Sequence, residues 1–273
     1  MARVGVRGVH IAYADEGAGD PPFVFIHGWA CDHTFWQPQF DDLKSDHRCL
    51  AIDLRGRGGS DAAPPYDAVT AADDVAAVMR EAGVGPAIIA GHSLGGIVAL
   101  LLNDRHPELV LGTILGDSPL TGARAGGFDD TVQRITEAGS MEPVRTFVES
   151  FFVDETVHDI REHVRKTMLG CPAAVGAGML ANSGAYGGER LDELIRAADK
   201  KPLMAIWAAS PLGDPEHLRE ITMFVRQEPI AGAGHFFQLE QPGITNALLR
   251  AFVDDVRRDP RLARTVRGTE AGT

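Results

Sequence analysis

Short apolar runs alternate along this chain with longer stretches whose apolar positions recur every three or four residues. That rhythm predicts a mostly parallel sheet wrapped by helices. Strands are expected at 9–14, 23–26, 49–52, 86–90, 109–115, 202–207 and about 228–231. Helices are expected from about His33, over 69–82, where Val75, Val78 and Met79 share a face, over 97–103 and over about 243–256. Residues 15–22 make a polar turn after the first strand.

Between residue 120 and about 199 the strand rhythm stops. Short helices rich in Phe, Met, Gly and Arg take over, with Phe147, Phe151, Phe152, Met168 and Met179 among their apolar positions. Inserted between two strands, such a segment is expected to be a helical lid. The expected organisation is a core of residues 1–118 and 200–256, a helical cap of 119–199, and a polar, basic tail of 257–273 that stays mobile.

One motif stands at a strand-to-helix junction. Gly91-His92-Ser93-Leu94-Gly95-Gly96 follows the strand at 86–90 and opens the next helix. A G-x-S-x-G sequence in that context is a nucleophile elbow, a turn so sharp that a Cβ on the flanking residues would collide with backbone. Gly91, Gly95 and Gly96 leave that room. The turn lifts the Ser93 hydroxyl off the sheet, while the helix beneath it offers unpaired N–H groups and a positive dipole end to a developing oxyanion.

Composition narrows the chemistry. The 273 residues carry 26 Lys and Arg against 38 Asp and Glu, a net charge of −12. That balance disfavours nucleic acid and other polyanions. No stretch is long and apolar enough to span a membrane, and the first residues lack a signal-like apolar region, so a cytoplasmic protein is expected. Cys31, Cys49 and Cys171 are odd in number and far apart, consistent with reduced thiols. His158 and His163 stand five apart and so do not share a helical face as paired zinc ligands do; both are taken as surface residues. The glycine-rich loop at 53–60 lacks the Lys-Ser/Thr of a phosphate loop and is closed by Pro64-Pro65. No metal and no cofactor are expected. The expected partner is a small-molecule substrate, without nucleic acid or membrane, and self-association into a homo-oligomer stays open.

With His27-Gly28-Trp29, the elbow at 91–96 and Gly234-His235-Phe236 on one chain, the sequence resembles the α/β-hydrolase family over about residues 9–256. The order Ser, acid, His is the one this family uses. The resemblance implies that Ser93 attacks a carbonyl, that His235 moves the proton, and that the backbone N–H groups of Trp29 and Leu94 form the oxyanion hole. Gly28, Trp29, His92, Phe236 and Trp207 are candidates for substrate contact. Trp207 and Phe236 could equally fill core, and His92, directly before the nucleophile, is expected to pack beside or orient Ser93.

Two carboxylates compete for the acid. Many relatives place it in the loop after the strand ending at Trp207, which here has no early aspartate and reaches Asp214 late, just before Pro215 and a helix it could cap. Asp117 ends the strand after the elbow helix. A minority of relatives, including zearalenone-type lactone hydrolases and cofactor-free quinolone dioxygenases, take their acid from that strand, and Asp117 ranks ahead of Asp214. Asp53 and Arg55 are expected to form a structural turn with a local ion pair, Asp32 to cap a helix, and Cys31 to behave as a small buried hydrophobe.

The leading expectation is a serine hydrolase cleaving a carboxylic ester or lactone of a small, largely apolar molecule through an acyl-enzyme on Ser93. The alternative is a cofactor-free dioxygenase of the same fold acting on a hydroxylated heteroaromatic such as a quinolone. Perhydrolase or haloperoxidase-like chemistry and a lactone-binding receptor also stay open, because a fold alone selects none of them.

Overall fold

A computed structural model describes residues 1–120, 128–181 and 187–262. Among the described residues, eight strands form one sheet: β1 (Ala2–Val6), β2 (Val9–Glu16), β3 (Phe23–Ile26), β4 (Cys49–Ile52), β5 (Ala87–His92), β6 (Val110–Gly116), β7 (Leu203–Trp207) and β8 (Arg226–Pro229). Their spatial order is β1-β2-β4-β3-β5-β6-β7-β8, antiparallel at β1-β2 and β2-β4 and parallel elsewhere. The mostly parallel sheet is therefore as expected. β1 is an addition, an exposed edge hairpin turned by Arg7 and Gly8 at positive φ; its polar outer face carries little apolar signal.

The core helices are α1 (Gln37–Leu43), α2 (Ala68–Glu81) and α3 (Leu94–Arg105). Between β6 and β7 come α4 (Asp129–Ala138), α5 (Arg145–Glu149), α6 (His158–Leu169), α7 (Ala173–Leu180) and α8 (Gly188–Ala198). After β7 follow α9 (Pro215–Ile221), α10 (Phe237–Glu240) and α11 (Pro242–Arg258). Residues 121–127 and 182–186 of the expected cap, and 263–273 of the expected tail, lie outside the described residues.

Strand side chains alternate between two apolar layers. Val24, Ile26, Ile89 and Leu115 face a core shared with α2 and α3, while Phe23, Phe25, Ile88 and Ile114 face one built with α1 and α11. Buried on every side of its middle turns, α3 lies between the sheet and the inserted helices, against α8. The tail begins later than expected. Arg257 and Arg258 are the last turn of α11, and Arg261 donates to the Asp199 carbonyl at 2.8 Å while also pairing with Asp259, which holds the chain down as far as Leu262.

Register decides where the polar residues emerge. His92 is level with Gly116, and Gly116 with Ile206, so Ser93, Asp117 and Trp207 leave the sheet side by side at its C-terminal edge. Ile26 is level with Gly91, which brings His27 and Gly28 to the same edge. The carboxyl ends of parallel strands are where such sheets gather ligand-binding groups.

Candidate active site

Ser93 joins β5 to α3 at φ 54°, ψ −122°. This is a costly conformation for a residue with a Cβ, and it is held by the Ser93 N–H donating to the Gly116 carbonyl at 2.7 Å. A Cβ on Gly91 would stand 2.2 Å from the Gly95 carbonyl oxygen, and one on Gly95 2.4 Å from that of Ile26. The glycines are thus demanded by close backbone approach, as the motif implied.

Asp117 is 1% exposed, at φ 40°. Its Oδ2 lies 2.7 Å from His235 Nδ1, a hydrogen bond closed across 118 residues of sequence. Its Oδ1 accepts the N–H groups of Leu212 at 3.1 Å and Ala208 at 3.3 Å. The loop after β7 therefore gives backbone amides to the carboxylate at the end of β6. Asp214 does something else: its side chain accepts the N–H groups of Glu216 and His217 and caps α9. The structure brings Asp117 to His235 and leaves Asp214 at a helix end.

His235 is gripped by its surroundings. Its N–H donates to the Phe151 carbonyl at 3.0 Å and its own carbonyl accepts His92 Nε2–H at 2.8 Å. The ring lies between Phe151, stacked at 4.4 Å, and His92 at 4.5 Å. With Nδ1–H given to Asp117, the neutral ring carries its free lone pair on Nε2. His92 is fully buried and burial pushes its pKa well down, so it stays neutral, with Nδ1 unpartnered.

His27, absent from the expected site, shapes the turn at Gly28. It accepts the Leu54 N–H on Nε2 at 3.0 Å, which leaves Nδ1–H to donate to the Gly28 carbonyl at 2.8 Å. Burial lowers its pKa to about 4, keeping it in this neutral tautomer. Cys31 N–H donates to the same carbonyl at 3.2 Å. Because a trans peptide is planar, pinning that carbonyl turns the Trp29 N–H the opposite way. Leu94 N–H is one of the unpaired donors opening α3. The clue available in sequence was the histidine directly before Gly28.

Ser93, His235, Gly28, Trp29, His92 and Leu94 all line one cavity of about 290 Å³, small beside the roughly 300–1,000 Å³ usual for ligand sites. Its far wall comes from the inserted helices: Phe128, Phe147, Phe151, Met168, Leu180 and Leu191. Phe236 lines it as well. Trp207 does not and is a correction: its buried indole N–H needs an acceptor and finds Gln227 Oε1 on β8 at 2.7 Å, holding the ring against Gly213. Trp29 donates its indole N–H to the Gly176 carbonyl at 2.8 Å, tying the Gly28-Trp29 turn to the insert.

The remaining candidates are structural. Asp53 bonds His33 Nδ1 and the Gly59 N–H, and Arg55 pairs with Asp74, so the expected local pair between Asp53 and Arg55 is replaced by two longer-range ones. Asp32 caps the short helix His33–Trp36. Cys31 is buried, which raises its thiol pKa well above the ordinary value. His158 is exposed, but His163 is half-buried and its ring meets Thr34 Oγ1 at 3.1 Å. Among the described residues, no group of three or more His, Cys, Asp or Glu side chains is placed to hold a metal, and no helix is long and apolar enough to cross a membrane.

Known proteins agree with this architecture. Residues 23–248 match the model of the alpha/beta hydrolase family. The dihydrolipoyllysine-residue acetyltransferase component of the acetoin cleaving system of Cupriavidus necator is 30% identical, over 90% of this chain and 67% of that protein. The solved esterase RhEst1 from Rhodococcus sp. ECU1013 is 28% identical with TM-score 0.77, covering 93% of this chain and 98% of that one. A thermophilic esterase from Thermogutta terrifontis shares the fold at TM-score 0.83 and 23% identity, covering 94% and 99%. The chain belongs to the alpha/beta hydrolase family and is an α/β-hydrolase enzyme.

Proposed function

We propose that the protein is a serine hydrolase that cleaves a carboxylic ester or lactone of a small, largely apolar molecule through an acyl-enzyme on Ser93. The observation that carries this reading is the 2.7 Å bond from His235 Nδ1 to the buried Asp117 carboxylate, at the sheet edge where Ser93 enters the same cavity. The likeness to a Rhodococcus esterase at 28% identity favours an ester.

In this mechanism Ser93 Oγ attacks the substrate carbonyl while His235 Nε2 takes its proton. Asp117 holds the ring in the required tautomer and stabilises the imidazolium. The carbonyl oxygen, now negative, turns to the N–H groups of Trp29 and Leu94, each donor of this kind being worth about 2.7–4 kcal/mol in the transition state. Collapse expels the alkoxide, which takes the proton from His235, and water then repeats the sequence to release the acid. In a lactone the departing alcohol stays tethered to the acyl group. The inserted helices act as the lid that keeps the acyl chain out of water. Uncharged aromatic and aliphatic walls favour an apolar acyl group.

Because the carboxylate bonded to His235 stands at the end of β6, the cofactor-free dioxygenase reading also fits, with His235 deprotonating a heteroaromatic hydroxyl. The two separate on one experiment: proton release by the purified protein from a panel of acyl esters and lactones, beside Ser93→Ala, and oxygen uptake with hydroxyquinolones. Release that vanishes in Ser93→Ala supports the hydrolase. Oxygen uptake without release overturns it.

A further inference from the structure

The loop carrying His235 is tied to the insert by a carboxylate that the mechanism above does not use. Glu240, the last residue of α10, accepts the Gly234 N–H on Oε2 at 2.5 Å and the Thr156 hydroxyl on Oε1 at 3.1 Å. Thr156 belongs to the insert, where its Oγ1 also accepts the Val153 N–H at 3.0 Å. Arg161 of α6 closes that turn by donating to the carbonyls of Val153 at 2.5 Å and Thr156 at 2.8 Å. The turn follows directly on Phe151 and Phe152, and Phe151 is the residue that accepts the His235 N–H and stacks on its ring. A Cβ on Gly234 would stand 2.5 Å from the Phe151 carbonyl and 3.0 Å from Glu240 Oε1, so the junction has no slack.

We propose that Glu240 is a positioning residue that, through Thr156, seats the insert against the histidine loop and thereby makes closure of the cavity and placement of the His235 imidazole a single event. This rests on the reading of His235 as the proton carrier. Two consecutive backbone amides, those of Gly234 and His235, are held by Glu240 and Phe151, and these two holders are joined by the 153–156 turn. Loosening the insert at Thr156 therefore releases the imidazole through Glu240 and Phe151. A carboxylate suits this place because it accepts two donors at once, and a charged acceptor makes stronger bonds than a neutral one.

Thr156→Val removes the hydroxyl at constant shape, Thr156→Ser restores it, and Glu240→Ala removes both bonds. Ester turnover and hydrogen exchange of the Gly234 and His235 amides are measured in each variant. In Thr156→Val, kcat falls about ten-fold with KM within about two-fold, and in Glu240→Ala about a hundred-fold, as small displacements of a reacting group produce. Exchange at both amides speeds up in Thr156→Val, and Thr156→Ser recovers both readouts. Unchanged exchange in a folded Thr156→Val, or a kcat that Thr156→Ser does not recover, overturns the proposal. If the wild type cleaves neither ester nor lactone, the hydrolase reading fails, whereas exchange in Thr156→Val still decides the coupling: faster supports it, unchanged overturns it.

Discussion

The two walls of the cavity are built on different principles. The floor rests on backbone and buried polar groups in costly conformations: Ser93 at positive φ, Asp117 at positive φ behind His235, and a Gly28 carbonyl pinned by a neutral histidine. Each is held by hydrogen bonds from a neighbouring strand or turn, and little can shift without leaving a buried group unpaired. The roof is made of apolar side chains from the insert, Phe128, Phe147, Met168, Leu180 and Leu191, which fill volume without fixed directions. On the proposed reading, chemistry belongs to the floor and selectivity to these roof side chains, with Thr156 and Phe151 as the place where the insert reaches the floor. Removing one atom from the floor should be catastrophic for rate, and removing a whole ring from the roof should mostly change which substrate is preferred.

The largest effect is expected at Ser93. Ser93→Ala should lower ester turnover by about 10⁴-fold or more and leave the melting temperature near that of the wild type; full activity in a folded variant would end the serine-hydrolase reading. Asp117→Asn should cost about 10⁴-fold in kcat, because an amide no longer enforces the His235 tautomer. Asp214→Asn should leave kcat within about two-fold, since asparagine caps a helix as well as aspartate does. Comparable losses in the two variants would break the assignment of the acid.

Acid should also find the floor first. Burial holds His27 neutral with its pKa lowered to about 4, and pushes the His92 pKa in the same direction. A buried base with a depressed pKa contributes stability that is fully present above the unfolded value near 6.5 and lost as pH falls toward the folded value. Between those limits His27 alone should cost about 3 kcal/mol. Urea titrations from pH 7 to 4 read this directly, and a flat profile would mean that these rings are solvated. A more modest effect belongs to the roof. Phe147 is 38% exposed, with its ring 4.7 Å from Phe151. Phe147→Ala should raise KM for medium-chain esters by about ten-fold with kcat little changed. A kcat loss as deep as that at Asp117 would show that the two walls are not separable.

How much was legible follows the same division. The elbow at 91–96 could be read because its demands are local: a strand, a helix and glycines whose absent Cβ atoms the turn requires. The helical insert was legible because the strand rhythm stops at residue 120. β1 was not, since an exposed edge hairpin needs little apolar surface. Trp207 misled because an aromatic at a strand end fits a pocket wall or the core equally well, and only its partner Gln227 on β8 tells which. His27 and Glu240 were missed because their importance lies in backbone groups they hold, the Gly28 carbonyl and the Gly234 N–H, and no sequence pattern names those partners.

The sequence by itself determined the strand and helix rhythm, the glycine-bounded serine and a short set of candidate acids, all properties set by neighbours along the chain. Tertiary structure alone set Asp117, and not Asp214, against His235. Both stand near strand ends, but strand order and register set β6 beside β5 with Gly116 level with His92, so Asp117 emerges next to Ser93, while the β7 loop spends its amides on Asp117 and carries Asp214 away to cap α9. A bond that spans 118 residues depends on which strands lie side by side, and that is settled only when the sheet closes and its core packs.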